Sequence, residues 1–272
     1  MSLLTNLDET FSHAEDLNVI DKLMSFVDPE LLQQAYELSG VATVRRRRLP
    51  LDSVVLTIVG MSLFRNDPVW DIANKLNVSL PGKNRFVAPS AVVQARQRLG
   101  DDAVGHVFKL MAQRAFTEYA FEQWCGLNVL AVDGVMFRAQ DTAENLDAFG
   151  CDRNAKGDNP YPQVRMCSLM ETSSHLLLAS EFDSRDVGEM SLAQRLVPSV
   201  PDNSLTLFDR GYYSLGLLYL WMTKGVNTHW MLPARKDLQY TVRHQLSEDD
   251  AVITLKTSPQ ARKKFDGLYQ LH

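Results

Sequence analysis

Cysteine is scarce in this chain. Only Cys125, Cys151 and Cys167 occur among its 272 residues, and no two of them form a Cys-x-x-Cys pair. The six histidines form no pair at a helical spacing that suits a metal ion. An odd number of widely spaced cysteines argues against a disulfide framework and against a zinc module, and it indicates a reducing compartment.

Long hydrophobic runs are also lacking. The longest uncharged stretch near the N-terminus, residues 53–64, has 12 residues, which is too short to span a bilayer. The N-terminus is acidic and lacks the positively charged start of a signal peptide. We therefore expect a soluble protein with no membrane segment that resides in the cytoplasm.

Positive charge is concentrated in one part of an acidic chain. The net charge is −5, yet twelve basic and seven acidic residues give residues 41–126 a balance of +5. Residues 1–40 carry −7 and residues 127–272 carry −3. A local basic region in an acidic protein gives a polyanionic partner a defined place to bind.

Four adjacent arginines begin this basic region: Arg45, Arg46, Arg47 and Arg48. They form either a phosphate-binding strip or a solvated charged face. The segment before them, residues 7–39, has helical spacing of its apolar residues, with Asp28 as the expected cap before Pro29 and Gly40 as the stop. Residues 51–64 are apolar on nearly all sides, so we expect a buried helix there.

Two short helices are predicted next, one after Asp67-Pro68 and one capped by Ser90 and ending at Gly100. Their succession loosely resembles a helix-turn-helix, in which Arg96 and Arg98 lie on a helix that enters a DNA groove. The alternative is an ordinary amphipathic helix with a basic outer face. A further amphipathic helix is expected from residue 101 to residue 119.

From Leu127 the pattern changes from helical to alternating strands and helices. We expect the following elements: a strand ending at Asp133, a polar excursion over 138–162, paired strands at 163–172 and 175–183, a helix at 187–196, a strand ending at Asp209, a helix, and a short strand at 228–233. This order predicts an α/β domain with a mixed sheet flanked by helices. Residues 234–272 predict a β-hairpin around the polar residues 247–250.

Asp133 and Asp209 each end an apolar run before a glycine-containing turn, and the two are 76 positions apart in the sequence. A strand that ends in an aspartate delivers the carboxylate to the carboxyl edge of the sheet, where open α/β sheets keep their sites. Two neighbouring carboxylates repel each other unless a cation lies between them. We therefore expect both to be ligands of Mg²⁺ or Mn²⁺, which prefer oxygen donors. The alternative, for either residue alone, is an ordinary turn residue.

Four stretches carry a resemblance to a known family: residues 47–50, 94–100, 132–134 and 208–212, the last reading Phe-Asp-Arg-Gly-Tyr. Together they resemble the DDE transposases of the bacterial insertion sequence 4 family, over roughly residues 20–270. The resemblance implies a ribonuclease-H-like catalytic fold behind a helical DNA-binding region. It also implies that Asp133 and Asp209 are the first two catalytic, metal-binding acids.

The same resemblance implies three regions and a reaction. Residues 1–126 are the helical DNA-binding region, residues 127–233 the first part of the ribonuclease-H-like domain, and residues 234–272 the start of a β-rich insertion. The implied reaction is two-metal phosphodiester hydrolysis followed by strand transfer, which moves an insertion sequence by cut and paste. Its partners are the element ends, target DNA and, since two ends are brought together, a second copy of the chain.

The third acid of that family is a glutamate on a helix after the insertion, within a Tyr–Arg–Glu–Lys pattern. Beyond Asp209 this chain has one glutamate, Glu248, and it lies in the predicted hairpin turn. Glu171, Glu181 and Glu189 precede Asp209, which is the wrong order. We therefore expect the third ligand to be absent, the chain to be a truncated reading frame or fragment, and its activity alone to be nil or nearly so.

Other readings follow from the same residues. Arg210 either pairs with a substrate phosphate or braces Asp209 from the turn, and Tyr212 is expected to pack rather than react. A phosphatase of the haloacid dehalogenase type is excluded because Ala131 stands where its nucleophile is required. A DNA-binding remnant without catalysis, which binds element ends through residues 41–126 and competes with intact transposase, is the alternative function.

Overall fold

The computed structural model describes residues 27–41, 50–75, 88–154 and 157–256. The arginine strip at 45–48, most of the expected helix before Pro29 and the end of the tail lie outside these ranges. The chain divides into two compact units between Ala120 and Phe121, six residues before the boundary taken from the sequence.

The first unit is helical. Its described helices are α1 (Pro29–Leu38), α2 (Leu51–Leu63), α3 (Val69–Lys75) and α4 (Pro89–Glu118). Asp28 caps α1 as predicted, because its Oδ1 accepts a hydrogen bond of 2.8 Å from the Glu30 amide. Apolar residues from all four helices, including Leu32, Val54, Ile72 and Leu99, form one core.

The sequence prediction was wrong about the start of α4. Ser90 is not its cap, since the helix begins at Pro89 after Ala88. Two helices do lie on either side of Gly100, as expected, because Gly100 has non-helical backbone angles of φ 75° and ψ 174° that divide α4 at a kink. Glycine tolerates a positive φ without steric cost, so the first helix ends at Gly100 and the second begins directly after it.

The second unit is a mixed α/β structure. Its strands are β1 (Gln123–Trp124), β2 (Leu127–Arg138), β3 (Cys151–Asn154), β4 (Gly157–Glu171), β5 (Leu177–Ser184), β6 (Ser204–Phe208), β7 (Thr228–Met231), β8 (Tyr240–Gln245) and β9 (Ala251–Leu255). Its helices are α5 (Ala143–Phe149), α6 (Glu189–Leu196) and α7 (Leu215–Thr223). Short 3₁₀ helices occupy Val197–Ser199 and Arg210–Tyr212.

The main sheet is mixed, as expected. Its strands run in the order β3-β4-β2-β6-β7, with β1 beside β2 and β5 beside β4. Strand β2 pairs antiparallel with β4 and parallel with β6, and β6 pairs parallel with β7. Strands β8 and β9 form the predicted hairpin as a separate two-stranded sheet.

Two elements differ from the sequence prediction. Strand β2 does not end at Asp133, because its ladder with β4 continues to Arg138, which pairs with Gln163. Only its parallel ladder with β6 stops before Asp133. The polar excursion contains α5, which Thr142 caps through a hydrogen bond from the Asn145 amide, together with β3 and the first part of β4.

One face of the sheet is buried under α6 and α7. Leu130, Leu169 and Leu217 are fully buried, and so is the indole of Trp221. The Trp221 Nε1 donates a hydrogen bond of 2.8 Å to Thr206 Oγ1 on β6, and the Trp221 ring meets Phe208 edge-on at 4.8 Å between centroids. These contacts fix the strand that leads to Asp209. No helix in the described ranges is long and apolar enough to cross a membrane.

Candidate active site

Asp133 and Asp209 occupy matching positions on two neighbouring parallel strands. The parallel register of β2 and β6 ends with Val132 opposite Phe208, and each aspartate is the next residue. Val132 and Phe208 are both buried on the helix-covered face of the sheet. Side chains alternate along extended chain, and Asp209 keeps an extended conformation, so both aspartates belong to the opposite face. Adjacent strands lie about 4.8 Å apart, so the two acids are near neighbours at one edge.

Each aspartate uses one carboxylate oxygen locally. Asp209 Oδ1 accepts hydrogen bonds from the amides of Gly211 at 2.8 Å and Tyr212 at 3.3 Å, which begins the 3₁₀ helix. Asp133 Oδ1 accepts from the Gly134 amide at 2.8 Å. In the described part of the chain no donor bonds to the Oδ2 atom of either aspartate, and both side chains are exposed. Asp209 thus does make the bonds of a turn residue, and it still offers an oxygen to a cation.

A buried tyrosine–cysteine pair lies beneath this edge. Tyr212 is 2% exposed, packs against Phe208 and has its hydroxyl 3.5 Å from Cys167 Sγ, so it packs as the sequence predicted. Burial raises the pKa of the Tyr212 hydroxyl and that of the Cys167 thiol, and the charges of Glu189 and Asp133 raise both further. Both groups therefore stay protonated and neutral at physiological pH.

Glu189 was not expected to be a ligand because it precedes Asp209 in the sequence, yet its side chain lies against Gly134 of β2, the strand that carries Asp133. A Cβ atom added to Gly134 would lie 3.0 Å from Glu189 Oε1 and 2.9 Å from Glu189 Cδ. Gly134 therefore leaves the space that the Glu189 carboxyl group uses. Glu189 is the first residue of α6 and is exposed. No signal in the sequence joins it to Asp133, because the contact depends on how α6 packs on the sheet.

Glu171 has a structural role instead. Its fully buried carboxylate accepts hydrogen bonds from the amides and hydroxyls of Ser173 and Ser174, at 2.6–3.0 Å. It thereby fixes the turn between β4 and β5. Its oxygens are committed to this turn, so Glu171 is not a ligand for the edge of the sheet.

The donor chemistry at this edge fits a hard divalent cation. Two carboxylates with free oxygens suit Mg²⁺, which usually takes one or two protein carboxylates and keeps several waters. Among the residues that the structure describes, no group of three or more His, Cys, Asp or Glu side chains is arranged to hold a metal ion. Glu248 lies in the connection between β8 and β9, as predicted, and not on a helix.

The predicted DNA-binding arginines fall in different places. Arg210 is exposed in the 3₁₀ helix after Asp209 and makes no ion pair with that aspartate, so it does not brace Asp209 through its charge. In the first unit, Arg96 and Arg98 are exposed on α4, while Val92, Ala95 and Leu99 of the same helix are buried. This burial pattern is amphipathic and fits both readings of α4.

Comparisons with known proteins give consistent matches along the chain. Residues 17–109 match the family described as the insertion element 4 transposase N-terminal region, and residues 124–272 match the transposase DDE domain. The chain is 48% identical over 251 residues to the transposase InsG for insertion sequence element IS4 of Escherichia coli (strain K12). That alignment covers 92% of this chain and 57% of the relative, so the chain spans little more than half of the relative's length.

A second relative from the same strain, the putative transposase InsZ, is 40% identical over 213 residues, which cover 77% of this chain and 70% of that protein. A solved chain of the piggyBac transposase, from a synaptic complex with hairpin DNA, aligns at 12% identity with a TM-score of 0.39. It covers 82% of this chain and 51% of the solved chain, and a likeness this weak carries no argument.

Proposed function

This chain belongs to the transposase DDE domain family and carries the N-terminal region of the insertion element 4 type, and on that premise we propose that it takes part in DNA transposition. The proposed reaction is metal-dependent phosphodiester cleavage at the ends of an insertion sequence, followed by strand transfer into target DNA. The DNA-bound form would be a dimer, because two element ends have to be joined. We place this action in the cytoplasm.

One observation carries the proposal: Asp133 and Asp209 each follow the last register pair of two neighbouring parallel strands. The arrangement supports a ribonuclease-H-like assignment for the second unit, in which acids from separate strands meet at one edge. Fully buried side chains beneath the strands keep this edge in place. Such a fixed pair of acids is what positioned phosphoryl-transfer chemistry requires.

Asp133 and Asp209 would hold the metal, Mg²⁺ or Mn²⁺, through their Oδ2 atoms. When bound, the metal supplies charge neutralisation and lowers the pKa of a bound water. The chain's own part is to orient the two carboxylates through the amides of Gly134, Gly211 and Tyr212. The neutral Tyr212–Cys167 pair adds no competing charge below them.

We further propose that the third carboxylate of the family has no counterpart in these 272 residues. Glu248 lies in a hairpin turn and Glu171 is committed to another turn. These 272 residues on their own, with two of three acids, are expected to bind DNA and cleave it poorly. The second candidate function for them is that of a DNA-binding protein that occupies element ends and competes with an intact transposase.

The test is binding and nicking on one substrate: a supercoiled plasmid that carries the terminal sequences of the element encoding the chain. We expect retention of this DNA in a gel-shift assay and little nicking in Mg²⁺ or Mn²⁺. Substantial nicking that Asp209→Ala abolishes would show that the third acid is dispensable. No binding to element ends would overturn both candidate functions.

The arginine strip has its own test in the same assay. Replacing Arg45, Arg46, Arg47 and Arg48 with alanine should weaken binding to many sequences about equally and reduce the dependence of affinity on salt, since each phosphate contact releases counterions. An unchanged salt dependence would count against the strip as a phosphate contact.

A further inference from the structure

The loop between β7 and β8, residues 232–239, leaves the sheet at the edge that carries Asp209. Strands β6 and β7 are parallel, and their register runs from Ser204 opposite Thr228 to Leu207 opposite Met231. The chain therefore leaves both strands on the same side. Arg235 and Lys236 in this loop are exposed, so two positive charges lie beside an edge that bears two aspartates.

Arg235 is tied to the turn that follows Asp209. Its guanidinium carbon lies 5.7 Å from the centroid of the Tyr213 ring, within the range of a cation–π interaction. Tyr213 is the residue that directly follows the 3₁₀ helix begun by Asp209, and it is half-buried. This contact places the Arg235 guanidinium beside the turn that follows Asp209.

The same guanidinium already binds an oxyanion with the geometry of a phosphate contact. Arg235 Nε donates to Asp237 Oδ1 and its second terminal nitrogen donates to Asp237 Oδ2, both at 3.0 Å. Two parallel bonds of this kind are how arginine recognises carboxylates and phosphates alike. Asp237 is exposed and only two residues away, so a competing anion has access to the same fork.

We propose that Arg235 binds a phosphate of the DNA backbone beside Asp133 and Asp209, and that Asp237 occupies the arginine fork when DNA is absent. Tyr213 and Asp237 are positioning residues for this contact. The inference rests on the proposed function, because it names the contact by which the same site receives its DNA. The exchange replaces one singly charged anion by another, so Arg235 keeps a partner in both states.

The physical need for such a cation comes from the acids themselves. Asp133 and Asp209 repel a phosphodiester that approaches their edge, and only positive charge held close by offsets this repulsion. A bound metal provides part of that charge. A forked arginine provides more and also fixes the direction of the phosphate.

The experiment measures the affinity of the purified 272-residue chain for a fluorescent duplex with an element-end sequence, by anisotropy, at several salt concentrations. Arg235→Ala should weaken binding about tenfold and lower the slope of log affinity against log salt by about one phosphate contact. Arg235→Lys should keep the slope and lose part of the affinity. Lys224→Ala is the matched control, since Lys224 is an exposed cation at the C-terminal end of α7, away from this loop.

Variants of Asp237 and Tyr213 should change DNA affinity in opposite directions, which a purely structural role of these residues would not produce. Asp237→Asn should tighten binding several-fold because it frees the fork. Tyr213→Phe should bind like the wild type, and Tyr213→Ala should bind a few-fold more weakly. The variants of Arg235 and Asp237 should melt within a few degrees of the wild type, because these side chains are exposed. The half-buried Tyr213 is why Tyr213→Phe, which keeps the ring, accompanies Tyr213→Ala.

Two outcomes would overturn the inference. One is an Arg235→Ala variant that binds as the wild type or no more weakly than Lys224→Ala, and the other is an Asp237→Asn variant that binds more weakly than the wild type. Both leave the proposed function standing as long as the wild-type chain binds the duplex. A wild-type chain that does not bind would instead remove the proposed function itself.

Discussion

Asp133 and Asp209 stand side by side on two parallel strands, each one residue past the last pair that joins β2 to β6. The parallel ladder stops where the acids begin, while the antiparallel ladder from β2 to β4 continues past them. The acids therefore lie where β2 and β6 separate from each other, and both side chains are exposed to solvent. The proposed binding of a cation and of a DNA strand depends on this relationship.

The hydrogen bond between Trp221 and Thr206 is predicted to stabilise β6, the strand that leads to Asp209. Trp221→Phe leaves the buried Thr206 hydroxyl without its donor, which should cost about 1–3 kcal/mol of the free energy of unfolding. Thr206→Val should cost a similar amount because it leaves the indole N–H unpaired. The double variant, which removes both polar groups, should lose clearly less than the sum in urea unfolding. Strict additivity would contradict the hydrogen bond as the source of the cost.

Glu171 locks the turn between β4 and β5, so its charge is predicted to matter for stability. Glu171→Gln should lower the free energy of unfolding by about 2–3 kcal/mol, since an amide satisfies the four donors of Ser173 and Ser174 less well than a carboxylate. Glu181→Gln, on the partner strand β5, is the control and should change stability by less than about 0.5 kcal/mol. Equal effects of the two substitutions in chemical denaturation would refute this role.

Asp28 links the start of α1 to α4 and predicts a pH dependence. The hydrogen bond from Arg114, and then that from the Glu30 amide, lowers the pKa of Asp28 below its usual value. A lowered pKa in the folded state means that this stabilisation is present above about pH 4 and is lost as the pH falls through the lowered pKa. Asp28→Asn should therefore reduce the melting temperature at pH 7 and leave it nearly unchanged at pH 2.

The control for that prediction is Asp102→Asn. Asp102 is an exposed acid of α4 with no hydrogen-bond or ion-pair partner in the described ranges of the chain. Its replacement should not alter the difference in melting temperature between pH 7 and pH 2. A shift as large as that of Asp28→Asn would mean that general charge, and not the bonds of Asp28, sets the pH dependence.

Gly134 and Glu189 are predicted to be coupled. The Cβ atom of Gly134→Ala would collide with the end of the Glu189 side chain, which is exposed and can turn away. The substitution should therefore cost less than about 1 kcal/mol, and Glu189→Ala should remove that cost in the double variant. The four melting temperatures of this cycle test the contact. A penalty that persists in the Glu189→Ala background would place its cause elsewhere.

The sequence predicted those parts of the fold that local pattern controls. The apolar runs before Asp133 and Asp209, the helices α2 and α6 and the hairpin of β8 and β9 follow from hydrophobic periodicity and turn residues. The length of β2 does not follow from local pattern. Its residues pair with residues of β4 that lie some 25–40 positions further along the chain, and the last residues of β2 are exposed. A pattern of burial cannot reveal an exposed strand end.

The site was predictable to the same extent. An aspartate that follows an apolar run and precedes a glycine-containing turn is visible in the sequence, so Asp133 and Asp209 could be predicted as candidate ligands, and that role stays a prediction. The approach of Glu189 to Gly134 and the tie between Arg235 and Tyr213 depend on how a helix and a loop pack against the sheet. These are contacts between segments that share no local pattern, so only the folded chain reveals them.

The shared cation is the centre of the account, and calorimetric titration of the chain with Mn²⁺ tests it most directly. If both carboxylates hold one ion, Asp133→Asn and Asp209→Asn should each weaken Mn²⁺ binding by about tenfold or more, and the double variant should bind little worse than either. Melting temperatures near that of the wild type would show that the variants are folded. Two small, additive losses, or Mn²⁺ binding untouched by either substitution, would contradict a site shared by Asp133 and Asp209.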